Sequence, residues 1–581
     1  MLSAIGRAGP CSPRHADPLP PRRDDVVQLD GGTKRALEVG RSRLLIGLAL
    51  FALAFVVIAG RLADVTLFQD GGEPKLTDQP ANVAPVAERA DIIDRNGVVL
   101  ATNLGTFSLF ANPKQVTRPG EAAKEIAGVL PELSPAEIEA KLASDKTFVW
   151  LKHDLTPDQQ VAMAKLGIPG LYFLPDEKRV YPLGSLVSHV VGFTNLDNRG
   201  IAGIEQSFED VLAGGRHPVQ LSLDVRIQEI MRDELAKGIA DFSGIGGAGI
   251  VLDAETGEIL AMVSLPDFDP NQAGTATSDQ RFNRSTLGIY EMGSVFKVFN
   301  TAMALDSGKI TLADSFDANP IHIGRFTIHD FEPMHHPLTV PEIFMYSSNI
   351  GAAHMAVEVG TDYQKAFMAR IGMLRAASLE LPELGKPLYP ADWRPINTMT
   401  IAFGQGLAVS PLHVASGVAA MINGGLMRPA TLIKRAPDQV SDGERVVSPD
   451  TSAKMRELLR LVVQAGTGKS ADVPGYLVGG KTGTAQKQMG HGYEANARLA
   501  SFVGAFPMSA PRYVVLCMVD EPKPNAQSHG FATGGWVAAP VVARIIQRMA
   551  PLLGLPPIPA DAPEAKNDLL TQVSLTANAA E

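Results

Sequence analysis

The chain of 581 residues is too long for one ordinary hydrophobic core, so two or more domains with connecting or terminal segments are expected. Charged residues make up 20% and hydrophobic ones 45%, a globular balance, and a formal charge of -10 over this length gives no basis for nucleic acid as a partner. The two cysteines, Cys11 and Cys517, exclude a disulfide framework, and Cys517, inside the apolar run Tyr513–Val519, reads as a small buried residue.

Residues 1–43 are rich in Pro, Arg and Asp without periodicity and read as a disordered tail. From Leu44 to Gly60 there is no charge, with Arg41 and Arg43 before and Arg61 after, so residues 44–62 stand near the lower length limit for a helix crossing a ~30 Å hydrocarbon layer. Arg7, Arg14, Arg22, Arg23, Lys34 and Arg35 add to the basic side, which the positive-inside rule keeps cytoplasmic while everything after Arg61 is exported. Val57-Ile-Ala59 resembles a signal-peptide cleavage site, but a charged leader from Met1 to Arg43 is far longer than a normal n-region, which favours a retained anchor. A buried core helix is the third reading, and the flanking arginines speak against it.

Residues 63–224 read as a mixed module. Asn96-Gly97 between two apolar runs predicts a strand, a type I′ turn and a second strand. GEAAKEIAGVL and SPAEIEAKL read as helices, the second opened by Ser134 with Glu137 three residues on, the pattern of a capping box. Residues 225–553 open with apolar positions at helical spacing (Ile227, Ile230, Met231, Leu235, Ile239), followed by a hairpin from Ala248 to Ser264 with Gly257 in its loop. Ala500–Phe506 and Arg512–Val519 read as further strands, and helices fill the middle. Strands at both ends of a helical block indicate an α+β domain whose terminal segments share one sheet. Residues 554–581 begin with clustered prolines, end in small polar residues and read as a second disordered tail; no internal repeat is visible.

The chemistry concentrates in three places. Ser294 is the only serine with a lysine three positions on, and in a helix that spacing puts Lys297 beside it, where a lysine of lowered pKa can serve as base to a serine nucleophile. Gly293 just before predicts that the helix starts there, with its positive end favouring a developing alkoxide. Tyr346-Ser-Ser-Asn-Ile350 supplies a hydroxyl, Ser347, and an amide, Asn349; the competing reading is a helix N-cap. Gly479-Gly-Lys-Thr-Gly-Thr484 offers Lys481, Thr482, Gly483 and Thr484 as a carboxylate site on an extended segment, against a plain Gly-rich turn; Gly466-Thr-Gly-Lys469 fits a P-loop poorly.

In that order, Ser-x-x-Lys, Ser-x-Asn and Lys-Thr-Gly are the set shared by penicillin-binding proteins and related serine β-lactamases. The sequence resembles the class B penicillin-binding proteins from the apolar segment through about Pro540, also in Arg89–Gly97, Arg179-Val-Tyr-Pro182, His189-Val-Val-Gly192, Gly200–Glu205, Gly404-Gln-Gly406 and Gly466-Thr-Gly468. The resemblance implies a pedestal domain, a transpeptidase domain of serine β-lactamase-like fold with an antiparallel sheet and a helical subdomain, and peptidoglycan D,D-transpeptidation with no cofactor. Ser294 would acylate on a stem pentapeptide and pass the acyl group to an amine acceptor, with Lys297 as base, Ser347 as proton relay and Asn349 aligning the peptide. Lys481, Thr482 and Thr484 would hold the terminal carboxylate, and the N–H groups of Ser294 and Thr484 would form the oxyanion hole. β-Lactams would bind covalently. Tyr290-Glu-Met-Gly-Ser294 and the long basic tail look like the division-specific type, which works at the septum on the outer face of the inner membrane beside a polytopic membrane glycosyltransferase and other division proteins; an elongation-specific enzyme, a β-lactamase or β-lactam sensor, and an inactive scaffold are the alternatives. Met292 departs from the proline that many relatives carry there.

One cluster stands apart. His329-Asp-Phe-Glu-Pro-Met-His-His336 gathers three histidines and two carboxylates, but no helical i, i+4 pair or paired cysteine supports a metal, and it reads as a solvated loop bordering the cleft.

Overall fold

The computed structural model describes residues 31–63, 89–215, 217–324, 326–489, 492–563 and 566. The chain divides into two units, Met1–Val86 and Ala87–Glu581. In the first, helix α1 (Gly31–Ala63) carries the uncharged run, with Leu45, Phe51 and Phe55 exposed, and it starts well ahead of Leu44, inside the segment read as a tail. Among the described residues no helix is long and apolar enough to cross a membrane. The uncharged run rises only ~26 Å at ~1.5 Å per residue, against a ~30 Å layer. Residues 1–30 with Cys11, residues 64–88 of the expected mixed module, and 567–581 of the expected C-terminal tail lie outside the described residues.

The second unit opens with a mixed sheet of β1 (Ile92–Ile93), β2 (Val99–Ala111), β3 (Val149–Leu155), β4 (Leu171–Val180) and β5 (Val219–Gln220). β2 is antiparallel to β1, β3 and β4, while β1 runs parallel to β5. The turn at Asn96-Gly97 forms but is not type I′: Gly97 has φ +89° and Asn96 no positive φ. Asp94 closes it instead, its carboxylate accepting the N–H groups of Asn96 at 2.7 Å and Val98 at 2.8 Å. Helices α2 (Pro119–Val129) and α3 (Pro135–Leu142) bury Ala123, Ile126, Ile138 and Leu142 against Leu109, Val149 and Leu151. Ser134 is the N-cap of α3, but its side chain makes no capping bond, so the expected capping box is absent. The motif residues Arg89, Arg179 and Glu205 meet in a buried cluster, each guanidinium 2.7 Å from a different Glu205 oxygen. Two cations on one carboxylate satisfy both its oxygens, which lets three charges stay out of water.

Helix α4 (Val225–Asp241) follows, then the hairpin β6 (Gly246–Asp253) and β7 (Ile259–Leu265). Further along come α5 (Lys297–Asp306), α6 (Val340–Tyr346), α7 (Asn349–Val359), α8 (Pro449–Gln464), strands β8 (Gly479–Met489), β9 (Gly492–Phe506) and β10 (Tyr513–Asp520), and α9 (Ala538–Met549). The strands form one antiparallel sheet in the order β8-β9-β10-β6-β7, so the two ends of the domain do share a sheet. Both of its faces are covered. Tyr513, Val515, Cys517 and Val519 of β10 join the layer containing α4 and α9 residues such as Met231 and Ile545, whereas Val514, Leu516 and Met518 join the layer of Phe299, Leu458 and Leu459. Strict alternation between two apolar environments is why β10 reads as an unbroken hydrophobic run. Cys517 is fully buried, and burial pushes its thiol pKa up.

Candidate active site

Gly293–Phe296 form a 3₁₀ turn that runs straight into α5. The expected helix start is therefore tighter than an α-turn, with Ser294 in the 3₁₀ segment and Lys297 as the first α-helical residue. In a 3₁₀ turn positions i and i+3 eclipse, and Lys297 Nζ lies 2.9 Å from Ser294 Oγ. Gly293 has φ +56°, and a Cβ there would stand 2.5 Å from the Thr484 carbonyl oxygen. Only glycine allows the turn to pack this closely on β8. Gly483 matters in the same way from the strand side, where a Cβ would meet the Met292 carbonyl at 2.6 Å.

The second motif breaks a helix in two. Ser347 ends α6 with a left-handed φ of +64°, and Ser348 starts α7, its hydroxyl accepting the Gly351 N–H at 2.9 Å. Ser348, not Ser347 or Asn349, is thus the N-cap. The left-handed residue costs on the order of 1 kcal/mol and persists because helices fix it on both sides. Its effect is to aim Ser347 Oγ between two lysines, 3.1 Å from Lys297 Nζ and 2.9 Å from Lys481 Nζ.

Lys297 is buried, and its amine also lies 2.6 Å from the Ser347 carbonyl and 2.8 Å from Asn349 Oδ1. Those two oxygens only accept, and a neutral amine has two N–H groups to give them. Its lone pair is then left for a hydroxyl, Ser294 or Ser347. Burial first, then the charge of Lys481, hold the Lys297 pKa well below the usual lysine value, while Asp330 pushes it up. Lys481 has no exposed surface and burial pushes it down to about 7; its partners are Ser347 Oγ and the Thr482 carbonyl. Thr482 shares a hydroxyl–hydroxyl bond of 2.8 Å with Thr467, and half-buried Thr484 accepts the Gly534 N–H at 3.1 Å, leaving its own proton to donate. All five predicted catalytic residues meet around one buried amine and one hydroxyl.

A profile described as the penicillin binding protein transpeptidase domain matches residues 247–547, and one for the penicillin-binding protein dimerisation domain matches 85–238. The chain belongs to the penicillin-binding protein transpeptidase family. It is 39% identical over 93% of its length to the probable peptidoglycan D,D-transpeptidase FtsI of Caulobacter vibrioides, covering 92% of that protein. To the FtsI of Escherichia coli K12 it is 29% identical, covering 87% of this chain and 90% of that one. The structure of penicillin binding protein 3 from Mycobacterium tuberculosis in complex with aztreonam superposes with a TM-score of 0.64 at 27% identity, over 81% of this chain and 98% of that one.

Within this penicillin-binding chain, sequence reasoning missed two residues. Asp330, placed with the histidine cluster, instead contacts the Ser-x-Asn segment, and among the described residues no group of three or more His, Cys, Asp or Glu side chains could hold a metal. Gly534 was unmarked, although its N–H anchors Thr484. A Gly-Gly pair before a helix was the available signal.

Burial of Lys481 carries a stability cost that depends on pH. The folded chain releases its proton near pH 7, whereas an unfolded lysine holds it to about 10.4. Between those values the unfolded state binds more protons, so stability rises with pH; the cost is full below pH 7 and gone above the unfolded value. Lys481→Met is expected to raise the stability by a margin on the order of several kcal/mol at neutral pH that shrinks as the pH is raised; a rise in melting temperature that narrows across that window checks it.

Proposed function

We propose that the chain is a peptidoglycan D,D-transpeptidase of septal wall synthesis, working through a Ser294 acyl-enzyme. The observation that carries this is the convergence of Ser294, Ser347 and Asn349 on the Lys297 amine, with Lys481 on the same Ser347 hydroxyl. Ser294 attacks the carbonyl of the penultimate D-alanine, and its proton passes to neutral Lys297. Ser347, bridging both lysines, relays a proton to the departing D-alanine amine, and the acceptor amine reverses the sequence. Asn349 aligns the stem peptide, and Thr482 and Thr484 bind the terminal carboxylate beside the Lys481 charge. The N–H groups of Ser294 and Thr484 stabilise the oxyanion, each worth about 3 kcal/mol. β-Lactams acylate the same serine.

The division of labour along the chain is a pedestal at 63–224, the transpeptidase domain at 225–553 and tails at 1–43 and 554–581. Residues 44–62 serve as a single-pass inner-membrane anchor, supported by the uncharged run and its basic N-terminal flank, with the N-terminus cytoplasmic and the catalytic domain periplasmic at the septum. No glycosyltransferase module fits between Arg61 and the transpeptidase domain, so a polytopic membrane glycosyltransferase and other division proteins are the partners. Purified protein given a pentapeptide ending in D-Ala-D-Ala and an amine acceptor is expected to release D-alanine and form the cross-linked product; rapid turnover of penicillin instead would make it a β-lactamase. Depletion should give filamentous cells, and rounded cells would assign it to elongation.

A further inference from the structure

The loop from His329 to His336 has no part in the scheme above, yet its second residue enters the site. Asp330 is buried, and its carboxylate accepts the Ser348 hydroxyl at 2.6 Å and the N–H groups of Asn349 at 2.5 Å and Ile350 at 3.0 Å. The neighbouring His329 carbonyl accepts from Asn349 Nδ2 at 3.2 Å. Asn349 is therefore held from this loop by main chain and side chain, and the second bond settles which way its amide faces: nitrogen to His329, oxygen to Lys297. The carboxylate also sits at the N-terminus of α7, where the helix dipole favours negative charge.

Two charges act on Lys297: Lys481 from β8, which opposes its protonation, and Asp330, which favours it. Of the charged groups on the packed helices, Glu342 of α6 is engaged with Thr339, Arg460 of α8 with Asp472, and Asp306 of α5 with Ser448 and Thr451.

We propose that Asp330 is a positioning residue for acyl transfer: its carboxylate locks Ser348 and Asn349 onto the start of α7 and supplies the negative charge against which Lys297 works. The inference rests on the acyl-enzyme reading. Its test is the second-order rate of acylation of the full chain by a fluorescent penicillin as a function of pH. Asp330→Asn keeps an oxygen for the two N–H groups and a donor toward Ser348 but removes the charge. Its acid limb is expected to move to lower pH, because Lys297 becomes easier to deprotonate, and its plateau to fall up to ~10-fold with the weaker base. Asp330→Glu keeps the charge and disturbs the clamp, so its rate falls while its acid limb stays at the wild-type position. A limb unmoved in Asp330→Asn, whatever the plateau, overturns the proposal, as does a limb moved equally in both variants. Wild-type protein that takes no label would sink the acyl-enzyme reading together with this one, whereas a labelled wild type with an unmoved Asp330→Asn limb sinks this one alone.

Discussion

Ser294→Ala is expected to take no penicillin label and to lose transpeptidation by a factor approaching ~10⁶, the scale on which removal of a serine nucleophile registers. The loss should come without unfolding. Ser294 is half-buried in the 3₁₀ turn, and the bond given up is the one it shares with Lys297, whose amine keeps the Ser347 carbonyl and Asn349 Oδ1. One such bond contributes about 1 kcal/mol, so melting should move by only a few degrees. Gel fluorescence after labelling, with a melting curve on the same sample, separates the two effects. Label on the alanine variant would place the nucleophile elsewhere.

Lys297→Met should come next in size. Methionine fills a buried linear cavity without a basic nitrogen, so acylation is expected to fall by ~10²–10⁴, the range for a positioned general base, while stability holds or rises because a buried amine is gone. Lys297→Arg should be no better, since a guanidinium stays protonated and cannot accept the serine proton. Stopped-flow acylation rates check both. A methionine variant within tenfold of wild type would remove Lys297 from the role of base and leave Lys481, relayed through Ser347, as the amine to examine.

The large elements were legible because their signals are local or periodic. The apolar spacing from Val225 to Ile239 became α4, the Ala248–Ser264 hairpin became β6 and β7, and the sharing of one sheet by both ends of the domain followed from strands flanking a helical block. The three motifs likewise named the residues that meet at the Lys297 amine and the Ser347 hydroxyl. What stayed hidden depends on contacts between distant segments. Asp330 looked like a member of a histidine-rich cluster because nothing in its own loop points to the helix start some twenty residues on. The left-handed Ser347 was unreadable, since serine seldom takes that conformation without a fold that enforces it. The pairing of Arg89 and Arg179 on Glu205 spans more than a hundred residues, and only the structure explains why those short motifs carry charge.

The strand order β8-β9-β10-β6-β7 has a consequence for the order of events in synthesis. β6 completes its hydrogen bonding only when β10 arrives, more than 250 residues later in the chain. Until then β6 is an open edge of the hairpin and one apolar face is uncovered, and such long-range pairing makes folding slow. Ser294 is made near the middle of the chain and Lys481 well after it, so a nascent chain carries the serine before the strand that completes its surroundings. Ser294 is therefore expected to meet its full set of partners only once the last strands have closed the sheet.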